Sequence, residues 1–137
     1  MEEKIKELLL EKTECEAIVL FGSYARGTQN SESDIDIAIK TKNKIDKKTL
    51  YKISIELSDK LEKDIDLINL DDEISDAFRY EILITGKTLY CEDEFKFEMY
   101  KLDMYREYLE LNESRQMIIK RIKNGGDIYG KWSSSNK

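Results

Sequence analysis

Residues 20–39 read LFGSYARGTQNSESDIDIAI, and this stretch decides both the fold and the chemistry expected of the chain. An apolar run ends at a turn formed by Gly22 and Ser23, ten residues follow, and a second apolar run begins with Asp34 and Asp36. Side chains two residues apart in a strand project from the same face, so we expect the two carboxylates to point the same way. Two anions held this close are costly without a cation between them. The stretch therefore predicts a divalent-metal site beside a phosphate-binding turn.

The turn at Gly22 suits a phosphate group for simple steric and electrostatic reasons. Glycine lets the backbone approach a ligand closely, and a short helix over residues 23–26 would present free N–H groups at its positive end. Ser23 adds a hydroxyl and Arg26 adds a positive charge. We therefore predict that Gly22, Ser23 and Arg26 bind the phosphates of a nucleotide, with a purely structural role for Arg26 as the alternative.

A second acidic strand supplies a third carboxylate. Residues 64–70 read DIDLINL, which alternates acidic and aliphatic side chains and predicts a strand with Asp64 and Asp66 on one face. Asp66 lies further into the aliphatic run, so we expect it to be the buried ligand and Asp64 to lie at the mouth of the strand. Together with Asp34 and Asp36, Asp66 completes a predicted set of hard oxygen ligands, which Mg²⁺ prefers. The alternative for DIDIAI, residues 34–39, is a half-exposed edge strand whose acids face water.

Composition narrows the classes of function that are open to the chain. The 137 residues carry a net charge of −6, no histidine and two cysteines. Without histidine, hydrolysis by a Ser-His-Asp or Cys-His arrangement is excluded, and two cysteines are too few for zinc. An acidic chain is not expected to bind nucleic acid strongly, since duplex binding needs a basic face. There is no apolar stretch of about 20 residues for a membrane span, and we expect a cytoplasmic protein with reduced thiols.

The order of predicted elements indicates an α/β (α+β) fold, a small mixed sheet covered by helices, in one domain of residues 1–137. A catalytic core would cover 1–90, a long C-terminal helix 92–123, and a flexible tail 124–137, with Gly125-Gly126 ending the helix. The predicted helices are 2–12, 23–26, 46–61 and one starting at Asp71 or Asp72 and ending at Thr85; the predicted strands are 16–21, 34–39, 64–70 and 87–90.

The long C-terminal helix carries two apolar stripes on different sides. The first contains Phe97, Met104, Leu111 and Ile118, and the second contains Phe95, Met99, Leu102 and Leu109. One stripe is enough to cover the sheet, so we predict that a surface around Tyr100, Tyr108 and Leu111 meets another protein chain, as an oligomer or a partner. The alternative is that the helix lies in a groove and buries both stripes.

The motif GSYARG–SDID followed by DIDLI resembles the minimal nucleotidyltransferases of the polymerase-β-like superfamily, and among them the MNT antitoxins of HEPN/MNT toxin–antitoxin pairs. The family pattern is Gly-Ser, ten residues, a DxD pair and a later Asp, and it falls here on Gly22, Ser23, Asp34, Asp36 and Asp66. The resemblance implies the nucleotidyltransferase fold and transfer of AMP from ATP with Mg²⁺, two ions in all, with Mn²⁺ left open. For the antitoxins it implies a tyrosine of the HEPN ribonuclease toxin as the acceptor, which neutralises the toxin.

Two other functions remain open on the sequence. The chain could neutralise its partner by occlusion alone, without catalysis, or it could modify a small hydroxyl compound. Arg79 is within reach of a phosphate in principle, but a salt bridge with a nearby acid is the simpler interpretation. The lysines of residues 40–48 could steer ATP or RNA toward the site, but a solvated basic loop is the simpler interpretation.

Overall fold

The computed structural model describes residues 1–123, and within them five helices alternate with four strands. The elements are α1 (Glu2–Lys12), β1 (Cys15–Phe21), α2 (Ser23–Arg26), β2 (Ile35–Thr41), α3 (Lys47–Leu61), β3 (Ile65–Asn69), α4 (Asp76–Thr85), β4 (Lys87–Cys91) and α5 (Glu94–Lys123). The predicted tail over 124–137 and the predicted helix stop at Gly125-Gly126 lie outside the described residues.

The four strands form one mixed sheet in the order β3-β2-β1-β4. β1 runs antiparallel to both β2 and β4, whereas β2 and β3 are parallel. The parallel pair is possible because α3 carries the chain back across the sheet between its two strands. The prediction of a small mixed sheet covered by helices is confirmed, and the last strand, β4, lies at one edge of that sheet.

Side chains along the central strands point alternately to the two faces of the sheet, so the core consists of two layers, one on each face. On one face Ile35, Ile37 and Ile39 of β2 pack with buried residues of α1 and α3. On the other face Ala38 packs with buried residues of α4 and α5. Asp36 is on the second face, because it lies between two residues that point into the first. The acidic side chain therefore emerges at the end of the layer that α4 and α5 cover.

The fourth helix begins later than predicted. It starts at Asp76, where the Ser75 hydroxyl accepts a hydrogen bond from the N–H of Phe78 at 3.1 Å. The preceding residues are held in a turn instead, in which Asn69 accepts a hydrogen bond from the N–H of Asp71 at 3.0 Å. The buried residues of α4 are Ile82 and Leu83, whereas Ala77 and Phe78 in its first turn are exposed.

Two other boundaries differ for identifiable reasons. The predicted basic loop 40–48 is shorter, because β2 continues to Thr41 and α3 begins at Lys47 behind an Asp46 cap. The long helix begins at Glu94 rather than Glu92, because Asp93 accepts a hydrogen bond from the N–H of Lys96 at 3.1 Å. In both cases an aspartate caps the helix and fixes where it starts.

Two of the three residues of the predicted partner surface of α5 are half-buried against the chain itself. Tyr108 stacks on Tyr80 of α4 with ring centroids 4.4 Å apart, and Tyr100 packs against the second core layer. Both rings therefore cover the chain's own domain, and only Leu111 is exposed. The other stripe is the exposed one in this part of the helix, with Phe95 77% exposed.

Beyond Leu111 the side chains of α5 are exposed on almost every side. The exposed aliphatic side chains there are Met117, Ile118, Ile119 and Ile122. A helix of 30 residues is about 45 Å long. The other helix that packs along it, α4, has 10 residues. The last turns of α5 thus extend past the elements that cover its beginning.

No helix in residues 1–123 combines the length and the apolar character needed to cross a membrane. Cys15 and Cys91 are both free thiols, as predicted, and burial raises the pKa of the Cys15 thiol.

Candidate functional site

The predicted acidic residues gather at one edge of the sheet, where β1 ends and the parallel strands begin. Asp34 lies one residue before β2, and Asp36 is the second residue of that strand. Asp36 pairs in register with Phe21 at the end of β1 and with Asp66 on β3. Neighbouring strands lie about 4.8 Å apart, so Asp36 and Asp66 are adjacent on the same face. Each of the other two acids is therefore next to Asp36.

Gly22 presses its backbone directly against Asp36. Its φ of 71° and ψ of −150° lie in a region that is essentially restricted to glycine. A Cβ built on Gly22 would lie 3.0 Å from Cγ of Asp36 and closer still to Oδ2. Any side chain at position 22 would therefore clash with the Asp36 carboxylate, and only glycine fits there.

The pKa of Asp36 is shifted by the same close surroundings. Burial raises the pKa of Asp36 above its ordinary value, and the negative charges of Asp66 and Asp34 raise it further. The positive charge of Arg26 opposes them and lowers it. A half-buried carboxylate between two others is a place where a cation would be stabilised.

The burial of the two acids on β3 differs from the prediction. Asp66 was expected to be the buried ligand, but it is exposed, because β3 is an edge strand and the described residues place no strand beyond it. Asp64 is also exposed and precedes the strand, as expected for the mouth. Its carbonyl oxygen accepts a hydrogen bond from the N–H of Ile35 at 2.9 Å, which ties β3 to β2 at this edge.

The turn residues predicted to bind phosphate lie on the other side of Asp36. Ser23 is the first residue of α2 and is half-buried, and Arg26 is its last residue and is exposed. The N–H groups of Ala25 and Arg26 donate to the carbonyl oxygen of Gly22 at 3.1 and 3.2 Å, so the one-turn helix is closed on the glycine. The order along the edge is therefore turn, Asp36, Asp66.

The acids do not form a complete metal cage by themselves. Across residues 1–123, no three carboxylate, thiol or imidazole side chains are grouped closely enough to hold a metal ion. Mg²⁺ generally binds proteins through one or two carboxylates and takes its other ligands from water and substrate phosphates. A pair of acids beside a turn for phosphates fits that requirement.

Arg79 and the lysines have structural roles in the described part of the chain. The Arg79 guanidinium donates to the carbonyl oxygens of Leu70 and Asp72 at 2.8 and 3.1 Å, and to Asp76 at 3.0 Å. The salt bridge expected for Arg79 is thus present, and its donors are engaged away from the acidic edge. Lys40 bridges to Glu16 at 3.2 Å at the other end of β2.

A polar cleft of about 430 Å³ adjoins the acidic edge on the side of β3. Its charged lining residues are Glu32, Asp34, Asp59, Glu62, Lys63 and Asp64. Lys63 is a residue that the sequence reading missed, because a lysine in a helix-to-strand turn has no distinguishing pattern. Its side chain reaches from the start of β3 to the loop before Asp34, where its Nζ lies 2.9 Å from the carbonyl oxygen of Ser31.

Comparison with known proteins shows that the chain is similar to one family of enzymes. A family model described as "Polymerase beta, Nucleotidyltransferase" matches residues 3–95. The protein adenylyltransferase MntA of Shewanella oneidensis is 33% identical over 121 residues, which cover 86% of this chain and 84% of that protein. The matched region contains all the residues of the acidic edge.

Two solved structures are similar over nearly the whole length of the chain. One is a crystal structure of a toxin-antitoxin with AMP-PNP, with a TM-score of 0.79 and 31% identity over 89% of this chain and 98% of that chain. Another is a tri-AMPylated Shewanella oneidensis HEPN toxin in complex with MNT antitoxin, with a TM-score of 0.72 and 28% identity over 89% of this chain and 95% of that chain.

Proposed function

The chain belongs to the polymerase beta nucleotidyltransferase family, and on that premise we propose that it is an antitoxin that transfers AMP from ATP to a tyrosine hydroxyl of a HEPN toxin. The single observation that carries the proposal is the juxtaposition of Gly22, Asp36 and Asp66 at one edge of the sheet. The similarity to a protein adenylyltransferase and to complexes with AMP-PNP and with an AMPylated toxin supports the nucleotide and the acceptor.

The residues on the two sides of Asp36 have different roles in the proposed reaction. Ser23 and the backbone after Gly22 hold the outer phosphates, and Arg26 adds positive charge there. Asp66, on the opposite side, orients the acceptor hydroxyl and takes its proton. The hydroxyl oxygen then attacks the α-phosphorus in line, the bond to the bridging oxygen breaks, and pyrophosphate leaves. Positioning and charge neutralisation supply most of the rate, so no histidine is required.

A divalent cation fits the donor set in this proposal. Asp34 and Asp36 would hold Mg²⁺ with the triphosphate, and Asp36 and Asp66 would share a second ion, with Mn²⁺ as an alternative metal. Bound there, the ions supply neutralisation of the phosphates and a lower pKa of the attacking hydroxyl. The support is the pKa of Asp36, which burial raises and which the negative charges of Asp66 and Asp34 raise further, so a cation there would be stabilised.

The exposed face of α5 supports a protein as the acceptor. Large apolar side chains are exposed along the helix, and near its end Ile118 is 50% exposed. Residues 114–123 carry four basic side chains and no acidic one, although the whole chain has a net charge of −6. An apolar, basic helix end of this kind suits a groove with acidic edges on the toxin.

Two features suit a cytoplasmic location. The proposed reaction uses ATP, and the thiols of Cys15 and Cys91 are free.

The test uses the full chain, ATP, Mg²⁺ and the HEPN protein encoded beside it. Intact mass spectrometry of the toxin should show added AMP with the wild type and none with Asp66→Asn. Asp64→Asn is the matched control, since it removes a second exposed acid two residues away on the same face and should leave the transfer in place. Equal modification by wild type and Asp66→Asn would overturn the proposal.

The same experiment separates the alternatives that the sequence left open. Inhibition of the toxin without any added mass would favour occlusion. Consumption of ATP that depends on a small hydroxyl compound, with the toxin unmodified, would favour a small-molecule acceptor.

A further inference from the structure

A lysine at the corner between α3 and β3 fastens the loop that carries Asp34. The Lys63 ammonium donates a hydrogen bond to the carbonyl oxygen of Ser31 at 2.9 Å. Ser31 lies three residues before Asp34, in the loop that leads from the glycine turn to β2, and Lys63 lies three residues before Asp66. The contact therefore joins the two segments that deliver the outer two acids of the edge.

The loop end of this contact is a closed turn. The N–H of Ser33 donates to the carbonyl oxygen of Asn30 at 3.2 Å, and the Ser33 hydroxyl accepts from the N–H of Asn30 at 2.9 Å. The Asn30 side chain also accepts from the N–H of Glu32 at 2.8 Å. Because the turn is internally bonded, an anchor on Ser31 holds the whole turn and not one residue.

The other end of the contact is equally fixed. The Ser58 hydroxyl donates to the carbonyl oxygen of Lys63 at 2.7 Å, and Glu62 adopts a left-handed conformation, with φ of 55°, that ends α3. The next residue, Asp64, is bonded to Ile35 of β2. The Lys63 backbone is thus held between α3 and the sheet, and its half-buried side chain reaches across to the loop.

We propose that Lys63 is a positioning residue for the cation site, which holds the Asp34 loop at a fixed distance from Asp66. The inference rests on the proposed function, since it concerns the cation that the acids would bind. Without the anchor, Asp34 must be ordered when the cation binds, and that loss of entropy weakens binding. The contact is exposed to solvent, so its effect on folding is small.

The sign of the effect distinguishes positioning from simple electrostatics. Lys63 is a positive charge in a cleft lined by five carboxylates. If Lys63 acted only through its charge, removing it would strengthen the binding of a cation. If it acts by holding the loop, removing it weakens that binding.

The experiment measures Mn²⁺ binding to the full chain by electron paramagnetic resonance, in the presence of a non-hydrolysable ATP analogue. Lys63→Met should raise the dissociation constant about three- to tenfold, the value of one hydrogen bond, while Lys63→Arg restores it to within about twofold. Lys60→Met, which removes an exposed lysine three residues earlier, is the charge control and should not weaken binding. At saturating metal, the AMP-transfer rate of Lys63→Met should approach that of the wild type.

Binding by Lys63→Met that equals or exceeds that of the wild type, while the wild type transfers AMP, would overturn this inference and leave the proposed function intact. Absence of both Mn²⁺ binding and AMP transfer in the wild type would overturn both. Thermal denaturation of the same samples checks that each variant is folded.

Discussion

Alanine at position 22 should inactivate the site through the carboxylate that it displaces. The backbone of Gly22, with φ of 71° and ψ of −150°, is essentially closed to other residues, and an alanine held there costs about 1–3 kcal/mol. Its methyl group would also lie 3.0 Å from Cγ of Asp36 and nearer to Oδ2, so the carboxylate must move. The substitution therefore affects stability and site geometry together.

The expected magnitudes follow from these two effects. Backbone strain should lower the free energy of unfolding by about 1–3 kcal/mol, which corresponds to a decrease in Tm of roughly 4–12 °C for a chain of this size. A displacement of about 1 Å at a reacting centre costs on the order of 100-fold in rate. We therefore expect Gly22→Ala to remain folded at 25 °C and to lose at least about 100-fold in AMP transfer to the toxin.

Gly27 offers a matched control five residues away. Its φ of 72° is also left-handed, but a Cβ there would meet no atom within 4 Å. Gly27→Ala should cost about 1 kcal/mol of stability and retain AMP transfer to within about twofold. Thermal denaturation and intact mass of the toxin measure both quantities. If Gly22→Ala transfers AMP as fast as Gly27→Ala, the close approach of the turn to Asp36 has no role in the reaction.

Three further predictions concern Asp36, Arg79 and Ile118. Burial and the charges of Asp66 and Asp34 raise the pKa of Asp36, so its ionisation destabilises the fold as the pH rises from the ordinary pKa of 3.8 through the raised value. Measured by calorimetry, Asp36→Asn should therefore have a higher Tm than the wild type at pH 7 and no advantage below pH 3.8. A lower Tm of Asp36→Asn at pH 7 would contradict this. Arg79→Ala removes three hydrogen bonds of a nearly buried guanidinium. The free energy of unfolding, measured with urea, should fall by about 2–4 kcal/mol. A loss below about 1 kcal/mol would show that water replaces these hydrogen bonds. Ile118→Glu should weaken toxin binding about tenfold by calorimetry with Tm unchanged, and unaltered affinity would remove α5 from the interface.

The sequence was sufficient wherever a short pattern has a single physical solution. The alternation around Asp36 predicted β2 and its two faces, and the glycine after Phe21 predicted the turn, because each depends only on local geometry. The ten-residue spacing then brought Asp34 and Asp36 beside Gly22, and a parallel β3 brought Asp66 into register. These placements follow from strand periodicity and the order of the elements.

The sequence was insufficient where two local solutions compete. Asp71, Asp72 and Ser75 are all good helix caps, and the choice of Ser75 depends on the turn that Asn69 forms. The outward face of α5 could not be read from its two stripes either, because the position of Tyr80 on α4 decides which stripe is covered. Burial of Asp66 was overestimated for a similar reason: the edge position of β3 is a property of the whole sheet.

The central claim is that the acids and the glycine turn at one edge of the sheet bind the nucleotide and its cation together. A crystal structure of the wild-type chain with Mn²⁺ and a non-hydrolysable ATP analogue tests it most directly, because anomalous scattering locates the metal independently of the ligand. We expect the strongest anomalous peak within coordination distance of Asp34 and Asp36, with the outer phosphates against the backbone of Gly22 and Ser23. A metal bound elsewhere, or a triphosphate that lies away from the turn, would contradict the account.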